Sequence, residues 1–505
     1  MCRCCLPASS QRMEWYSKST VKYSRYSPCR NRGRLMRLIA IAACMFLLCF
    51  SVSAQEIGQV DYADQNVFGV IEGFWLPDDV CELGAGWERI IFDWAQHQPE
   101  GSDSWNTLNV DERWLNAAAA CNREVIAIVK NTPAWATDGT PGPGLPRGLY
   151  LPIDAPENLW ANFMRRAAEY YASRGVHRFI IWNEPDIERG TYGFEFEGTL
   201  DDYFQLLKVA ALAARQGNPN VYIHIAGTTY WHDVNQGRRL YVDRLLERIL
   251  ADPEAEANGY YFDAVNLHIY FRTDTVRQIV SEFRAILDRY GMTDKHIWIA
   301  ETNASPNLDP QWQVDRPVWQ VDLDQQAAFL VQAAASGLAS GADHIGVYKF
   351  FDWSLPVGAE SFGLLRADGS RRPAFDAWHN VIEQFNGVHD ARFAQADRVD
   401  VVLLEREDDQ TVLVAWARTP DPVMLTITAS DTSALLLDQY GDMMNVHSLN
   451  GVYTLMLPGA VCRERGGCPE EIPVGGNVSI LIQPSGELNV LELTPDGNLY
   501  PLAFN

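Results

Sequence analysis

Short apolar runs that stop abruptly on polar or proline-bearing ends punctuate the chain. Val67–Phe74 (VFGVIEGF), Trp87–Trp94 (WERIIFDW), Glu124–Lys130 (EVIAIVK), the run from Arg178 to Trp182, Val221–Ala226, Ala264–Tyr270 (AVNLHIY), the run from His296 to Glu301 and Ile345–Phe351 read as strands. They are apolar with little alternation, the texture of strands buried on both faces of a parallel sheet. Between them the apolar spacing turns helical: Val110–Cys121, Pro156–Gly175, Leu200–Arg215, Arg238–Leu250, Thr275–Tyr290, Asp322–Ser340 and Pro373–Phe385. Pro156-Glu157-Asn158 suits a first helical turn. Gly217, Gly291, Gly341 and Gly387 follow the last residues of their helices, where a left-handed residue commonly ends one.

Eight strands, most followed by a helix, predict a (β/α)8 barrel. The competing doubly wound sheet has no Gly-rich dinucleotide loop after its first strand. Beyond Gly387 the helical spacing vanishes. Val399–Leu404, Thr411–Trp416, Val423–Thr428, Ser433–Asp438, Gly451–Leu457 and Val478–Ile482 are strand-like runs parted by turns. They predict an all-β, sandwich-like module packed directly on the barrel, since no Pro/Ser linker precedes it. The expected division is therefore a leader over residues 1–54, a catalytic barrel over 55–387 and an accessory β-sandwich over 388–505.

The leader has the pattern of a signal peptide. Arg30, Arg32, Arg34 and Arg37 precede a 15-residue apolar stretch, Leu38 to Val52, and Val52-Ser53-Ala54 offers small residues for cleavage near Ala54. A secreted or extracytoplasmic location is expected, with no membrane association beyond that peptide. Six of the ten cysteines fall in the leader. Of the rest, Cys462 and Cys468 are expected to close a short loop as a disulfide, and a Cys81–Cys121 bridge is also open. No CxxC metal pattern is present.

At 505 residues, 47% hydrophobic and 21% charged, the chain is globular and long enough for two domains. Residues 1–54 hold nine Lys/Arg and one Glu; without them 32 basic and 64 acidic side chains remain, a net of −32. That charge argues against nucleic acid or an anionic membrane as partner and fits a neutral or basic substrate.

The chemistry gathers where strands end. Arg178-Phe179-Ile180-Ile181-Trp182-Asn183-Glu184-Pro185-Asp186 is an apolar strand stopped by Pro185, which cannot donate to a ladder. His296-Ile297-Trp298-Ile299-Ala300-Glu301-Thr302-Asn303 repeats the design. Two glutamates at the carboxyl ends of strands in one sheet suit glycosidic bond hydrolysis. Asn183, beside Glu184, is placed to hydrogen-bond a sugar 2-hydroxyl.

These segments resemble those of glycoside hydrolase clan A, nearest to family 39 and family 5-like enzymes. Trp182-Asn183-Glu184-Pro185 on strand four and Ile299-Ala300-Glu301-Thr302 on strand seven look like that clan's acid/base and nucleophile segments. Arg89 with Trp94, then Gln98-Pro99-Glu100, resembles its strand-two arginine segment. Thr132-Pro133-Ala134-Trp135-Ala136 resembles the end of strand three, and His268-Ile269-Tyr270 the strand-six His-x-Tyr. Trp353 resembles the strand-eight tryptophan of the sugar platform, and Asp438-Gln439-Tyr440-Gly441 a turn of the accessory module. The motif after Glu301 departs from the clan's more usual Glu-aromatic-Gly.

The resemblance implies a retaining β-glycosidase on a (β/α)8 barrel that uses no cofactor and no metal. Glu184 would be general acid/base and Glu301 nucleophile, with Arg89 keeping Glu301 ionised. The implied partner is an oligo- or polysaccharide, touched by Asn183, His268, Tyr270, Trp353 and Trp135. Glu72, Trp75, Asp93 and His97 are further residues that could line the site. The rival reading is a catalytically idle carbohydrate-binding protein on the same barrel.

Overall fold

A computed structural model describes residues 66–315, 317, 319–353, 355–356, 358–462 and 472–505. The leader, its apolar stretch and the expected cleavage near Ala54 lie outside the described residues, as does Cys468.

Eight parallel strands pair in chain order: β1 (Phe68–Ile71), β2 (Trp87–Asp93), β3 (Glu124–Lys130), β4 (Arg178–Ile181), β5 (Tyr222–Ile225), β6 (Ala264–Tyr270), β7 (His296–Asn303) and β8 (His344–Val347). β8 returns to β1, with Gly346 aligned to Gly69, and closes the barrel. The helices around it are α1 (Pro77–Leu83), α2 (Trp94–His97), α3 (Glu112–Ala120), α4 (Leu159–Ala172), α5 (Leu200–Gly217), α6 (Trp231–Asn235), α7 (Tyr241–Leu250), α8 (Val276–Arg289), α9 (Leu323–Leu338) and α10 (Pro373–Phe385). Among the described residues none is long and apolar enough to cross a membrane. The first strand is shorter than its apolar run suggests: after Ile71 the backbone turns left-handed at Glu72 and winds into a single 3-10 turn over Gly73–Trp75.

The barrel interior is filled, and the filling sets the floor of the site. Trp87 and Trp298 lie inside with Ile126, Ile128, Ile180 and Ala264. The Trp87 indole passes so close to Gly69 and Gly346 that a Cβ at either would fall 2.1 or 2.3 Å from it. Glycine at both positions is what lets a tryptophan occupy this layer. His224 and His344 flank Trp298, the latter stacked with ring centroids 3.7 Å apart. α1 is tied to the end of α3 by a Cys81–Cys121 disulfide across 5.8 Å between Cα atoms, the second of the two pairings open to the sequence. Cys462 is also disulfide-bonded.

Downstream lie ten described strands rather than the six that the apolar runs suggest. β9 (Val388–Gln395), β10 (Val399–Arg406), β11 (Gln410–Ala417), β13 (Ser433–Asp438), β14 (Met443–His447) and β16 (Ser479–Pro484) make one sheet, ordered β14-β13-β16-β11-β10-β9. β12 (Val423–Thr428), β15 (Val452–Leu457), β17 (Val490–Leu493) and β18 (Leu499–Pro501) make the other, ordered β15-β12-β17-β18. The strands that patterning missed are mostly at edges: β9 and β14 are largely exposed and carry no apolar alternation.

The middle of the larger sheet is buried on both faces. Val399, Val401 and Leu403 of β10 join the core between the sheets, while Val402 and Leu404 join the core shared with the barrel. A two-residue period places neighbours on opposite faces, so β10 is apolar from Val401 to Leu404, with Asp400 the buried polar exception. Polar contacts add to the seam: Gln332 Nε2 donates to the Gly476 carbonyl at 2.8 Å and Tyr440 Oη to Asp324 at 2.7 Å. Barrel and sandwich belong to one compact unit, Gln59–Asn505.

Candidate active site

Each sequence-predicted carboxylate stands at the carboxyl end of its strand, and local backbone geometry aims it. After β4 the chain is left-handed at Trp182 (φ 74°) and again at Glu184 (φ 39°). Such torsions are costly for non-glycine residues and persist only where the surroundings hold them. Here the Glu184 amide donates to the Gly227 carbonyl at 3.1 Å. The Trp182 indole donates to the Glu195 carbonyl at 2.9 Å. Asp186 accepts from the Thr229 amide and hydroxyl at 2.8 and 2.7 Å, which fixes the loop just after Glu184.

Glu301 is aimed by a register shift. Leu267 pairs with Ile299, but His268 pairs with Glu301, so Ala300 is an extra residue on β7. Such a bulge re-aims a side chain and is common beside active sites. It sets Glu301 opposite His268, whose Nδ1 lies 2.7 Å from Glu184 Oε1 and 3.6 Å from Glu301 Oε2. The imidazole needs Gly227, since a Cβ there would fall 2.0 Å from its Nε2. One carboxylate oxygen from each glutamate and a ring nitrogen of His268 all lie within 4.8 Å of one another.

Arg89, from β2, donates to Glu301 Oε1, and the Tyr270 hydroxyl donates to Glu301 Oε2. With both oxygens of Glu301 engaged, the cluster suits proton transfer and nucleophilic chemistry better than cation binding. Burial raises the Glu301 pKa, but the charges of Arg89 and His268 and the bonds from Tyr270 and Arg89 outweigh it and hold it at about 2. The opposite balance acts on His268: burial disfavours its cation, but Glu301 and Glu184 together raise its pKa. Burial and the Glu301 charge push Tyr270 well above the usual phenol range.

Asn183 lies beside Glu184 with its amide nitrogen donating to Glu195 at 3.0 Å, and Glu195 is in turn paired with Lys130 at 2.6 Å. Its amide oxygen is buried and has no partner among the described residues, an acceptor still to be satisfied. Trp353 is half exposed at the rim beyond β8 and stacks on Trp75 with centroids 4.7 Å apart. Trp135, beyond β3, is partly buried, donates to the Gln98 carbonyl at 2.6 Å and meets Trp94 edge-on. Asp93 caps α2 and accepts from Asn131.

His97 stands apart from the cleft. It is fully buried, bonded to the Asp93 carbonyl and to Tyr171 Oη, and surrounded by Phe92, Trp105 and Phe163. It is a core histidine, and its place on α2 turns it inward.

A cavity of about 400 Å³ opens beside the pair, lined by Glu184, Thr229, Trp231, Asn235, His268, Tyr270, Phe271, Arg272 and Trp319. Trp231 and Trp319 come from loops and α6, where no strand-end signal marks them. Tyr348 carries such a signal: it follows β8 directly and sits edge-on to Tyr270 and Phe362. Burial and then the charge of Glu301 push its hydroxyl above the usual phenol range.

No protein-family model matches the sequence, and no curated protein is similar to it in sequence. Solved structures are similar in fold. A family 39 glycoside hydrolase from the gut symbiont Bacteroides cellulosilyticus WH2 matches with TM-score 0.64 at 14% identity, over 84% of this chain and 81% of that one. A GH30 endoxylanase from Clostridium papyrosolvens C71 matches with TM-score 0.55 at 14% identity, over 84% and 97%. The GH39 enzyme from Xanthomonas axonopodis pv. citri matches with TM-score 0.53 at 13% identity, over 84% and 94%. The chain thus shares the fold of these glycoside hydrolases over most of its length.

Proposed function

We propose that this protein is a retaining glycoside hydrolase that cleaves β-glycosidic bonds of an oligo- or polysaccharide. The observation that carries the reading is the carboxylate pair. Glu184 and Glu301 bring oxygens within 4.8 Å of each other at the barrel mouth. Retaining enzymes hold their carboxyl groups about 5–5.5 Å apart, whereas inverting ones need room for a water between them. The architectural likeness to glycoside hydrolases supports the same reading.

In the first step Glu301, kept ionised by Arg89, attacks the anomeric carbon as the bond to the leaving oxygen breaks. Glu184 gives its proton to that oxygen. In the second step Glu184 takes a proton from water, whose oxygen attacks the anomeric carbon and releases Glu301. His268 Nδ1 donates to Glu184 Oε1 and orients it, and Asn183 Oδ1 accepts from the 2-hydroxyl. Tyr348 and the indoles of Trp231 and Trp319 give apolar faces for sugar rings. An extracytoplasmic location is part of the proposal, supported by the leader's charge and hydropathy pattern and by a disulfide that suits an oxidising compartment.

The test is a screen on aryl β-glycosides followed by trapping with a 2-deoxy-2-fluoro glycoside. Peptide mass analysis should find the sugar esterified to Glu301. Azide should turn Glu301→Ala into a producer of inverted glycosyl azide and Glu184→Ala into a producer of the retained one. Binding of a glycan without turnover of any would instead identify an idle binding protein.

A further inference from the structure

The site as read gives no task to the ion pair between Glu72 and Lys349. Glu72 follows β1 and Lys349 follows β8, neighbouring strands of the closed barrel. Lys349 is only 8% exposed. Among the described residues its ammonium has one hydrogen-bonding partner, Glu72 Oε2, at 3.4 Å. An ammonium has three donors, and a buried polar group left short of partners is costly. The pair is not needed to join the two strand ends, because the Phe350 amide already donates to the Ile71 carbonyl at 3.0 Å.

Glu72 is held in a left-handed conformation, φ 62°, that non-glycine residues seldom adopt. Its amide donates to the carbonyl of Arg89 at 3.1 Å, which ties it to the residue that grips Glu301. Backbone outliers held in place by their surroundings cluster at functional sites. Lys349 also follows Tyr348 directly, and the Tyr348 hydroxyl feels the charges of both Glu301 and Glu72. In the closed barrel β8 and β1 lie between β7, which carries Glu301, and β2, which carries Arg89, so the pair borders the same part of the barrel as the nucleophile and its arginine.

We infer that Glu72 and Lys349 bind adjacent hydroxyls of the glycone, the ring whose anomeric carbon meets Glu301, and that they select a neutral sugar. The inference rests on the glycosidase reading. The ammonium donates to one hydroxyl and the carboxylate accepts from the next. A uronate carboxylate turned towards Lys349 would meet the Glu72 charge, and a ring lacking these hydroxyls would leave the pair with only its own 3.4 Å contact and the ammonium short of acceptors.

The experiment starts with the wild type, on the aryl β-glycoside it cleaves best and on its 3-, 4- and 6-deoxy forms. At least one deoxy sugar should lose about 10–100-fold in kcat/KM, the range for a hydrogen bond to a charged group. Lys349→Met and Glu72→Gln should lose a similar factor on the parent sugar and little more on that deoxy form. If every deoxy form costs the wild type less than about threefold, the inference is overturned. It is also overturned if the variants lose equally on parent and deoxy sugars, the mark of a structural ion pair. Should Lys349→Met fail to fold, the wild-type series and the uncharged double variant E72Q/K349M decide. A wild type that cleaves no glycoside at all removes the glycosidase reading, and this inference with it; a wild type that cleaves glycosides but is indifferent to their hydroxyls removes only the inference.

Discussion

A carboxylate enclosed by a guanidinium, an imidazole and a phenol has lost its water and kept its charge. That is the state of Glu301, and Arg89 is the main reason. Opposite charge stabilises the ionised form of a buried acid against desolvation. The sign follows directly: removing Arg89 raises the Glu301 pKa, so the ionised form is lost at higher pH on acidification. In Arg89→Met the acid limb of the kcat/KM profile should move up by about one unit or more, each unit being about 1.36 kcal/mol. A lower plateau with an unmoved acid limb would assign Arg89 to positioning alone. At this scale the strand-end rule found Glu184 and Glu301, and the resemblance to clan A added Arg89, His268 and Tyr270, all of which the fold gathers. Tyr348, directly after β8, obeys the same rule, whereas Trp353, marked by the resemblance, lies further along the loop. Trp231 and Trp319 could not be found this way, because loop aromatics carry no periodic signal.

Secondary elements position these residues through irregularities. The extra residue on β7 brings Glu301 opposite His268; in a regular ladder their alignment would slip by one residue. α1 and α3 are short, 7 and 9 residues, and isolated helices of that length are marginal. The Cys81–Cys121 bridge holds them where they cover the first turns of the barrel. The double variant Cys81→Ala/Cys121→Ala should lose roughly 2–4 kcal/mol of unfolding free energy, since the bridge removes freedom from the unfolded chain. Urea unfolding measures this, and an unchanged midpoint would show that packing alone holds the two helices. α5 and α9 rely instead on reciprocal capping boxes, Thr199 with Asp202 and Asp322 with Gln325, of the kind found at helix starts.

Across the whole molecule, the interior holds histidines that cannot charge without cost. Burial lowers His97 to about 4 and His224 to about 3. In the unfolded chain both titrate near 6.5. Below that pH the unfolded state takes up protons that the folded state refuses, so stability falls as pH drops from about 6.5 to the folded values. Asp400, raised to about 6 by burial, works the other way between about 6 and its ordinary value of 3.8. His344, also lowered by burial, acts with these two histidines, Glu88 and Glu124, raised by burial, act with Asp400, and Glu301 adds to acid sensitivity once the pH falls below 4.5, its ordinary value. The histidine share of the unfolding free energy should therefore decline from about pH 6.5 towards 4.5. His224→Gln should flatten that slope by about 1.4 kcal/mol per pH unit, whatever it costs in packing on Trp298. An unaltered slope would show that His224 does not report on folding.

The order of elements was legible because a buried parallel strand has to be apolar and a covering helix has to be amphipathic. Both requirements are local and leave their period in the chain. The β-module was legible as all-β for the same reason, apart from edge strands such as β9 and β14, which bury too little to need a pattern. Chemistry was legible where it sits at strand ends, since topology brings those ends to one mouth. The tertiary structure decided the rest. Whether His97 lines a cleft or fills the core depends on which way α2 turns, and whether Cys81 meets Cys121 depends on how two short helices pack. The meeting of Glu184, His268 and Glu301 depends on a one-residue bulge and on the room left by Gly227. These are contacts between residues far apart in the chain, set by volume and closure, and no local period encodes them.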